Sequence, residues 1–327
     1  MTQSGQGAVT IDDVAVAAGV SRSTASRVLT GTGSISTQAG QRVRSAAERL
    51  GYVPNPLAQA LARGVGTRVV FAVSSATPEV HDEYLGRAIS GVAEVCDKEG
   101  VGVSVQWLPL GGPAALERLA ADRSVRGVVL INTTEQVLAA VPLRLRGRVV
   151  SIGIGSPGVP SFDVDNAGGA HAVVSHLYLS GRRRIAMVTG PAWLPCSDRA
   201  RRAYRAVMDA AELPERVVPG DFTAASGRAG TLEALRRWPD LDAIFAICDA
   251  TALGALATLR GLGVDVPGDI AVAGFDDIPF AALSWPALTT ATHPVGRIAA
   301  AAAAAVLDSK AHPGTEYPSR LVLRESA

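Results

Sequence analysis

The sequence predicts an α/β protein that carries a small all-α helix-turn-helix headpiece. Three observations predict it. Residues 9–29, VTIDDVAVAAGVSRSTASRVL, read as two short helices joined by a tight turn. From Arg68 onward, short apolar runs alternate with helical stretches, the pattern of parallel sheets covered on both faces. The chain has 327 residues, 48% hydrophobic and 19% charged, an ordinary globular profile long enough for two or three domains.

In the headpiece, Val14, Ala15 and Ala18 give the first helix a small apolar face. Gly19 permits the bend, Val20 packs inward, and Ser21 caps the next helix. Spacings of three and four place Arg22, Ser23, Ser26 and Arg27 on one outward face, while Val28 and Leu29 point back to the core. A helix presenting Arg and Ser in this frame suits the major groove of DNA. A third helix follows, capped by Ser36, carried by Val43, Ala46, Ala47 and Leu50, and ended by Gly51. The next segment, Tyr52 to Gly64, holds Pro54 and Pro56 around Asn55 and predicts a helix of about two turns. A helix that short needs a partner to stay folded, which makes it a hinge candidate.

Charge separates this region from the rest. Net charge is +1, yet residues 20–68 carry Arg22, Arg27, Arg42, Arg44, Arg49, Arg63 and Arg68 against Glu48 alone. A basic N-terminal piece on a near-neutral body fits a local DNA-binding module. Cys96, Cys196 and Cys248 are far apart and form no CxxC pair, against a disulfide framework or a zinc site. No metal or cofactor is expected. The polar start MTQSGQGAVT and the lack of a long apolar run predict a cytoplasmic protein with no membrane partner.

In the body, strands are expected at Val69–Val73, Val101–Trp107, Gly127–Ile131, Val149–Ile154, Ile185–Thr189, Ala243–Ile247 and Ile270–Gly274. Helices are expected near 83–99, 113–123, 134–140, 166–180, 199–211, 225–238 and 250–262, then from Gly296 to Leu307, before a strand-like Ser319–Leu323. The units suffice for two parallel sheets, whose ligands bind at the C-terminal ends of strands.

Four stretches together resemble the LacI/GalR (lactose-repressor) family of bacterial transcription regulators: VTIDDVAVAAGVSRSTASRVLTG, AAERLGYVPNPLAQALARG, VDNAGGAHAVVSHLYLSGRRRIAMVTGP and VPGDIAVAGFDDIPFAALSWPALTT. The resemblance covers nearly the whole chain. It implies a homodimer on a palindromic double-stranded operator. Each subunit would have a headpiece at 1–54, a hinge helix and linker at 55–66, and a periplasmic-binding-protein-like core at 67–327. Within that core one subdomain would span about 67–163 plus 294–327 and the other about 164–293. It implies that Arg22 and Ser23 read base edges, that Ser26 and Arg27 continue the same face, and that Thr10 and Ser21 contact phosphates. Leu61 matches the family's minor-groove wedge, with Asn55, Ala58 and Gln59 beside it. Gly40 stands where relatives commonly have an Arg.

The resemblance also implies a small-molecule effector, sugar or nucleoside-like, between the subdomains. Asp276 would accept ligand hydroxyls, Phe222 would stack on a ring, Tyr84 replaces a pair of aromatics, and Ser75 ends the first core strand. Two positions depart from the pattern. Ala200 stands four residues before Tyr204 where an Arg is usual, so Arg199 is the expected stand-in, and Cys248 replaces the Asn before Asp249. The expected function is therefore an effector-controlled repressor.

Two other functions compete. A solute-binding protein would share the core but not the headpiece. An enzyme would need a constellation that His81, His171, His176, His293 and His312 do not form with Cys or Ser. The absence of a leucine-heptad tail before Ala327 favours a dimer over a tetramer.

Overall fold

The computed structural model describes residues 9–31, 36–53, 66–75, 83–110, 113–308 and 312–327. The chain divides into two compact units, Met1–Thr67 and Arg68–Ala327.

The first unit contains three helices, α1 (Ile11–Ala18), α2 (Arg22–Thr30) and α3 (Thr37–Leu50). Each is capped by its own sequence. Thr10 and Asp13 form a reciprocal capping box, in which the Thr10 backbone N–H donates to Asp13 Oδ2 at 2.8 Å. Ser21 accepts from the Thr24 N–H at 3.2 Å and Ser36 from the Ala39 N–H at 3.3 Å. All three helices stop at a left-handed glycine, Gly19, Gly31 or Gly51. The core is built from small side chains, Val14, Ala15, Ala18, Ala25, Val43, Ala46 and Ala47, closed by Ile11, Val20, Val28, Leu29, Leu50 and Tyr52. Arg22, Ser23 and Arg27 are exposed, whereas Ser26 is half-buried and contributes only an edge to that face. The expected hinge residues Asn55, Ala58, Gln59 and Leu61 lie outside the described residues.

The second unit is built on two parallel sheets. The larger has the order β11-β5-β4-β3-β1-β2, from β1 (Arg68–Ser74), β2 (Gly102–Leu108), β3 (Val125–Ile131), β4 (Val149–Ile152), β5 (Ser161–Val164) and β11 (Thr315–Tyr317). On β1, between β3 and the edge strand β2, Phe71 sits opposite Val105 and Val129. The smaller has the order β7-β6-β8-β9, from β6 (Ile185–Val188), β7 (Val217–Val218), β8 (Ala243–Ala246) and β9 (Ala271–Ala273). Near-continuous apolar strands, buried on both faces, made most of these runs legible in the sequence. The expectation missed β5, β7, β11 and the short β10 (Thr290–Ala291), strands of two to four residues.

Helices flank both sheets. In the first half these are α4 (Glu83–Lys98), α5 (Pro113–Ala121), α6 (Glu135–Ala139) and the returning α12 (Val295–Leu307). In the second half they are α7 (Asn166–Leu179), α8 (Pro195–Ala210), α9 (Ala224–Arg237), α10 (Asp249–Gly261) and α11 (Pro279–Leu283).

The chain passes between the halves three times, after β5, after β10 and after β11. The last segment is shared. Tyr317 pairs with Val164 on the first sheet, but β12 (Leu321–Val322) pairs antiparallel with β10, and Ser326 bonds Val272 and Thr289 beside the second sheet. The expectation placed all of 294–327 with the first half; strand pairing divides that segment after Tyr317.

Small residues set the closest helix packing. A Cβ at Gly91 on α4 would strike the carbonyl of Gly296 on α12. Gly91→Ala should therefore cost about 1–3 kcal/mol through overpacking, read as a lower urea midpoint with an unchanged slope.

Candidate functional site

Between the two halves of the second unit lies a cavity holding about 760 Å³ free of protein atoms, counting the open solvent at its mouth. The first half contributes Tyr84, Asn132, Thr133, Ile154 and Asp163; the second contributes Arg199, Phe222, Cys248, Phe275 and Asp276.

Local sequence explains how these side chains arrive. The α8 helix begins at Pro195, earlier than the expected 199, because proline fits the first helical position. Cys196 and Arg199 therefore sit in its opening turns, at the cavity wall. Ala200, at the position where an Arg was expected, is buried in the core instead. Arg199 reaches across to the first half, where its Nη2 donates to Asp163 Oδ2 at 2.6 Å. Asp163 Oδ1 accepts from the Val164 N–H at 2.8 Å, so this carboxylate is held at both oxygens. The Arg199 Nε is buried with no hydrogen-bond partner among the described residues.

On the opposite wall, Asp276 Oδ1 and His293 Nδ1 lie 3.0 Å apart. The His293 ring lies against Tyr84 at a tilt of 53° with centroids 5.0 Å apart, and meets Phe275 edge-on at 6.0 Å. Arg87 on α4 donates from Nη1 to the Asp276 carbonyl and from Nη2 to the His293 carbonyl, each at 3.3 Å. The cavity wall and the passages between the halves are thus one connected group.

Three cavity residues, Asn132 (φ 56°), Phe222 (φ 69°) and Asp276 (φ 115°), hold left-handed backbone conformations that non-glycine residues avoid. Such strain persists only where surrounding structure enforces it, and it gathers at ligand clamps and active sites.

Cys248 is 5% exposed, and its thiol donates to the Phe222 carbonyl at 3.3 Å. Burial, then the neighbouring Asp163 charge, pushes the Cys196 thiol up to about 12. Next to Cys248, the fully buried Asp249 accepts from Thr290 Oγ1 at 2.5 Å and from the Ile278 N–H at 2.9 Å. Burial and the adjacent Asp276 charge raise its pKa from 3.8 to about 8, against the pull of those two bonds.

Five of the six residues expected at the effector site, Tyr84, Arg199, Phe222, Cys248 and Asp276, line this one cavity. Ser75 does not; it lines an adjoining cleft that shares Asn132, Leu194 and Phe222 with the cavity. Sequence reasoning passed over Asn132, Asp163, Phe275 and His293. The one sign of them available in the sequence was position, since Asn132 and Asp163 close strands whose C-terminal ends face the cavity.

In the headpiece, Thr10 and Ser21 are N-caps whose hydroxyls already bond within the helix. Arg22 pairs with Asp12 at 3.3 Å, an exposed ion pair that adds little stability.

Comparison with known proteins decides the class. Residues 10–55 match the family model "Bacterial regulatory proteins, lacI family", and residues 174–327 match a "Periplasmic binding protein-like domain". The "HTH-type transcriptional regulator CelR" of Thermobifida fusca is 34% identical, over 96% of this chain and 95% of its own. The chain belongs to the lacI family of bacterial regulatory proteins. As a lacI-family member it is a DNA-binding transcription regulator under effector control. A solved "transcriptional regulator CelR-cellobiose complex" superposes with a TM-score of 0.70 at 30% identity, covering 98% of this chain and 100% of that one. A lac repressor dimer bound to operator superposes with a TM-score of 0.84 at 24% identity, covering 98% and 99%, and shows the shared fold. Among the described residues, no helix of this lacI-family chain is long and apolar enough to cross a membrane, and no cluster of three or more His, Cys, Asp or Glu could hold a metal.

The folded state keeps the Asp249 proton to about pH 8, while the unfolded chain releases it near 3.8. Folding therefore binds the extra proton, and this group's contribution to stability falls as pH rises from about 4 to about 8. Asp249→Asn, whose oxygen can still accept from the Ile278 N–H while its NH2 donates to Thr290 Oγ1, should flatten that fall by on the order of a few kcal/mol in denaturant titrations across this range.

Proposed function

We propose that this regulator senses an uncharged sugar in the cavity between the halves of its core and transmits the binding to an operator-bound headpiece. The observation that carries the reading is convergence. Tyr84, Asn132 and Asp163 from one half meet Arg199, Phe222 and Asp276 from the other around one space, three of them on enforced backbone. Carboxylates, an amide and a guanidinium can accept from and donate to ring hydroxyls, and the aromatic faces cover the apolar side of a ring. The CelR relative was solved with cellobiose, which makes that sugar a natural first probe.

The coupling is a difference in affinity between two states. Ligand held by both halves favours one angle between them. In a homodimer, as the lac repressor was solved, that angle sets the spacing of the paired linkers at 55–66. Headpiece 1–54 would then grip a palindromic operator in one state and lose it in the other. Arg22 and Ser23 read base edges, Ser26 and Arg27 extend the contact, Thr10 and Ser21 hold phosphates, and Leu61, flanked by Asn55, Ala58 and Gln59, wedges the minor groove. Exposed Leu283 and Trp285, on and beside α11, offer apolar area for subunit association. We infer binding without turnover, in the cytoplasm, from membership of a family of transcription regulators.

Arg22→Ala should weaken operator binding about 5- to 150-fold and relax base preference at one position of each half-site. Leu61→Ala should weaken it without changing base preference. A gel shift on a selected palindrome reads both, and unchanged binding in both variants defeats the assignment. Asp276→Ala should leave operator binding in place while removing the thermal stabilisation given by the ligand. Stabilisation by nucleosides rather than sugars would overturn the ligand class.

A further inference from the structure

Among the described residues, the headpiece holds one ion pair, and it joins the opening turns of α1 and α2. Arg22 Nε lies 3.3 Å from Asp12 Oδ1, with the side chains 72% and 61% exposed. A pair this exposed adds little to folding. Nor does α1 need Asp12 for its cap, because Thr10 and Asp13 already close the capping box. The carboxylate also stands beside the side chain that enters the groove, where DNA phosphates repel it. Asp12 thus adds little to the fold and opposes binding by its charge. What it does change is the conformation of Arg22.

A solvated arginine samples many rotamers, and its fork fits a phosphate as well as a base edge. A carboxylate at Nε removes part of that freedom. It takes up one edge of the guanidinium and leaves the Nη end, which no hydrogen bond ties to a described residue. The two N–H groups of that end match guanine O6 and N7 in the major groove. The rest of the turn agrees. Ser21 Oγ lies 2.9 Å from both Ser23 Oγ and Thr24 Oγ1, and it accepts from the Thr24 N–H at 3.2 Å. These short hydroxyls are drawn together at the helix start, so Arg22 is the long donor of the turn. The first turn of α2 has no acidic residue of its own, and the carboxylate beside Arg22 is supplied by α1.

We propose that Asp12 is a positioning residue that sets the base preference of the headpiece. Its carboxylate holds Arg22 at Nε and directs the Nη end to a guanine in each operator half-site rather than to a phosphate. Asp12 therefore lowers general affinity for duplex DNA while sharpening the choice of base. This rests on Arg22 being a base reader, as proposed above.

The test uses the full chain and a palindrome selected from random duplexes, with binding read by fluorescence anisotropy. Each half-site position is substituted symmetrically. The position where Arg22→Ala flattens the base preference marks the base that Arg22 reads, expected to be guanine. There, Asp12→Asn should lower the preference for guanine by about 3- to 10-fold, part of what one bidentate pair supplies. Binding to a duplex of random sequence should tighten, because a negative charge has left the DNA-facing side. Asp12→Glu should restore part of the preference. In an Arg22→Ala background, Asp12→Asn should leave that position unchanged. A melting curve checks the other role open to Asp12, favouring the N-terminus of α1, whose loss would weaken binding alike at every position. Four results overturn the proposal: a guanine preference that Asp12→Asn leaves intact, a loss spread over all positions, a loss that persists without Arg22, or an Arg22 position that prefers another base. In each of these Arg22 still reads a base. If Arg22→Ala flattens no position at all, the reading of Arg22 falls and the proposal falls with it.

Discussion

The core depends on how its two halves are tied where the chain passes between them. One guanidinium, from Arg87, donates to the carbonyls of both Asp276 and His293, and the side chains of those two residues meet each other. Hydrogen bonds from a charged donor are among the stronger ones available. A tilted ring contact adds to the tie, because His293 also meets Tyr84 from the same helix that carries Arg87. The group draws Arg87 and Tyr84 from the first half and Asp276 from the second, with His293 in the passage between them. A ligand touching Asp276 therefore acts on the crossing itself, and a shift in the crossing alters the wall the ligand sees. That is the physical content of coupling: two states, each with its own set of contacts.

Departures from the family pattern become intelligible once the packing is visible. Ala200 is buried against the core, while the neighbouring Arg199 turns to the cavity and bridges to Asp163. Cys248 spends its thiol on the Phe222 carbonyl, so it fixes the loop that positions the aromatic ring. Asp249 is withdrawn as well, bonded to Thr290 and Ile278 and kept protonated to about pH 8. The polar work of the cavity thus shifts from the strand-end pair to Asn132, Asp163, Arg199 and Asp276.

Much of the fold was legible because physics writes it locally. The Thr10–Asp13 box, the Ser21 and Ser36 caps and the glycine stops are spelled out over a few residues, and runs such as Val69–Val73 are apolar throughout because both faces are covered. What failed was non-local. Thr290–Ala291 and Thr315–Tyr317 are too short to show a period, and they are strands only because distant partners lie alongside. Asp163 looks like any polar residue near a strand end; nothing in its neighbours reveals an arginine 36 positions later. Arg87, by spacing, is one more charge on an amphipathic helix. The motif-bearing residues Phe222 and Asp276 were found, but their backbone strain was not, since side-chain identity says nothing of φ.

That strain has a consequence for the history of such a protein. Holding Asn132, Phe222 and Asp276 in left-handed geometry costs of order 1–3 kcal/mol at each position. Glycine would relieve the cost at any of them and delete a group from the cavity wall. Selection for endurance at high temperature, with sensing left unrewarded, would consequently dismantle the sensor first and leave a sturdier molecule deaf to its signal.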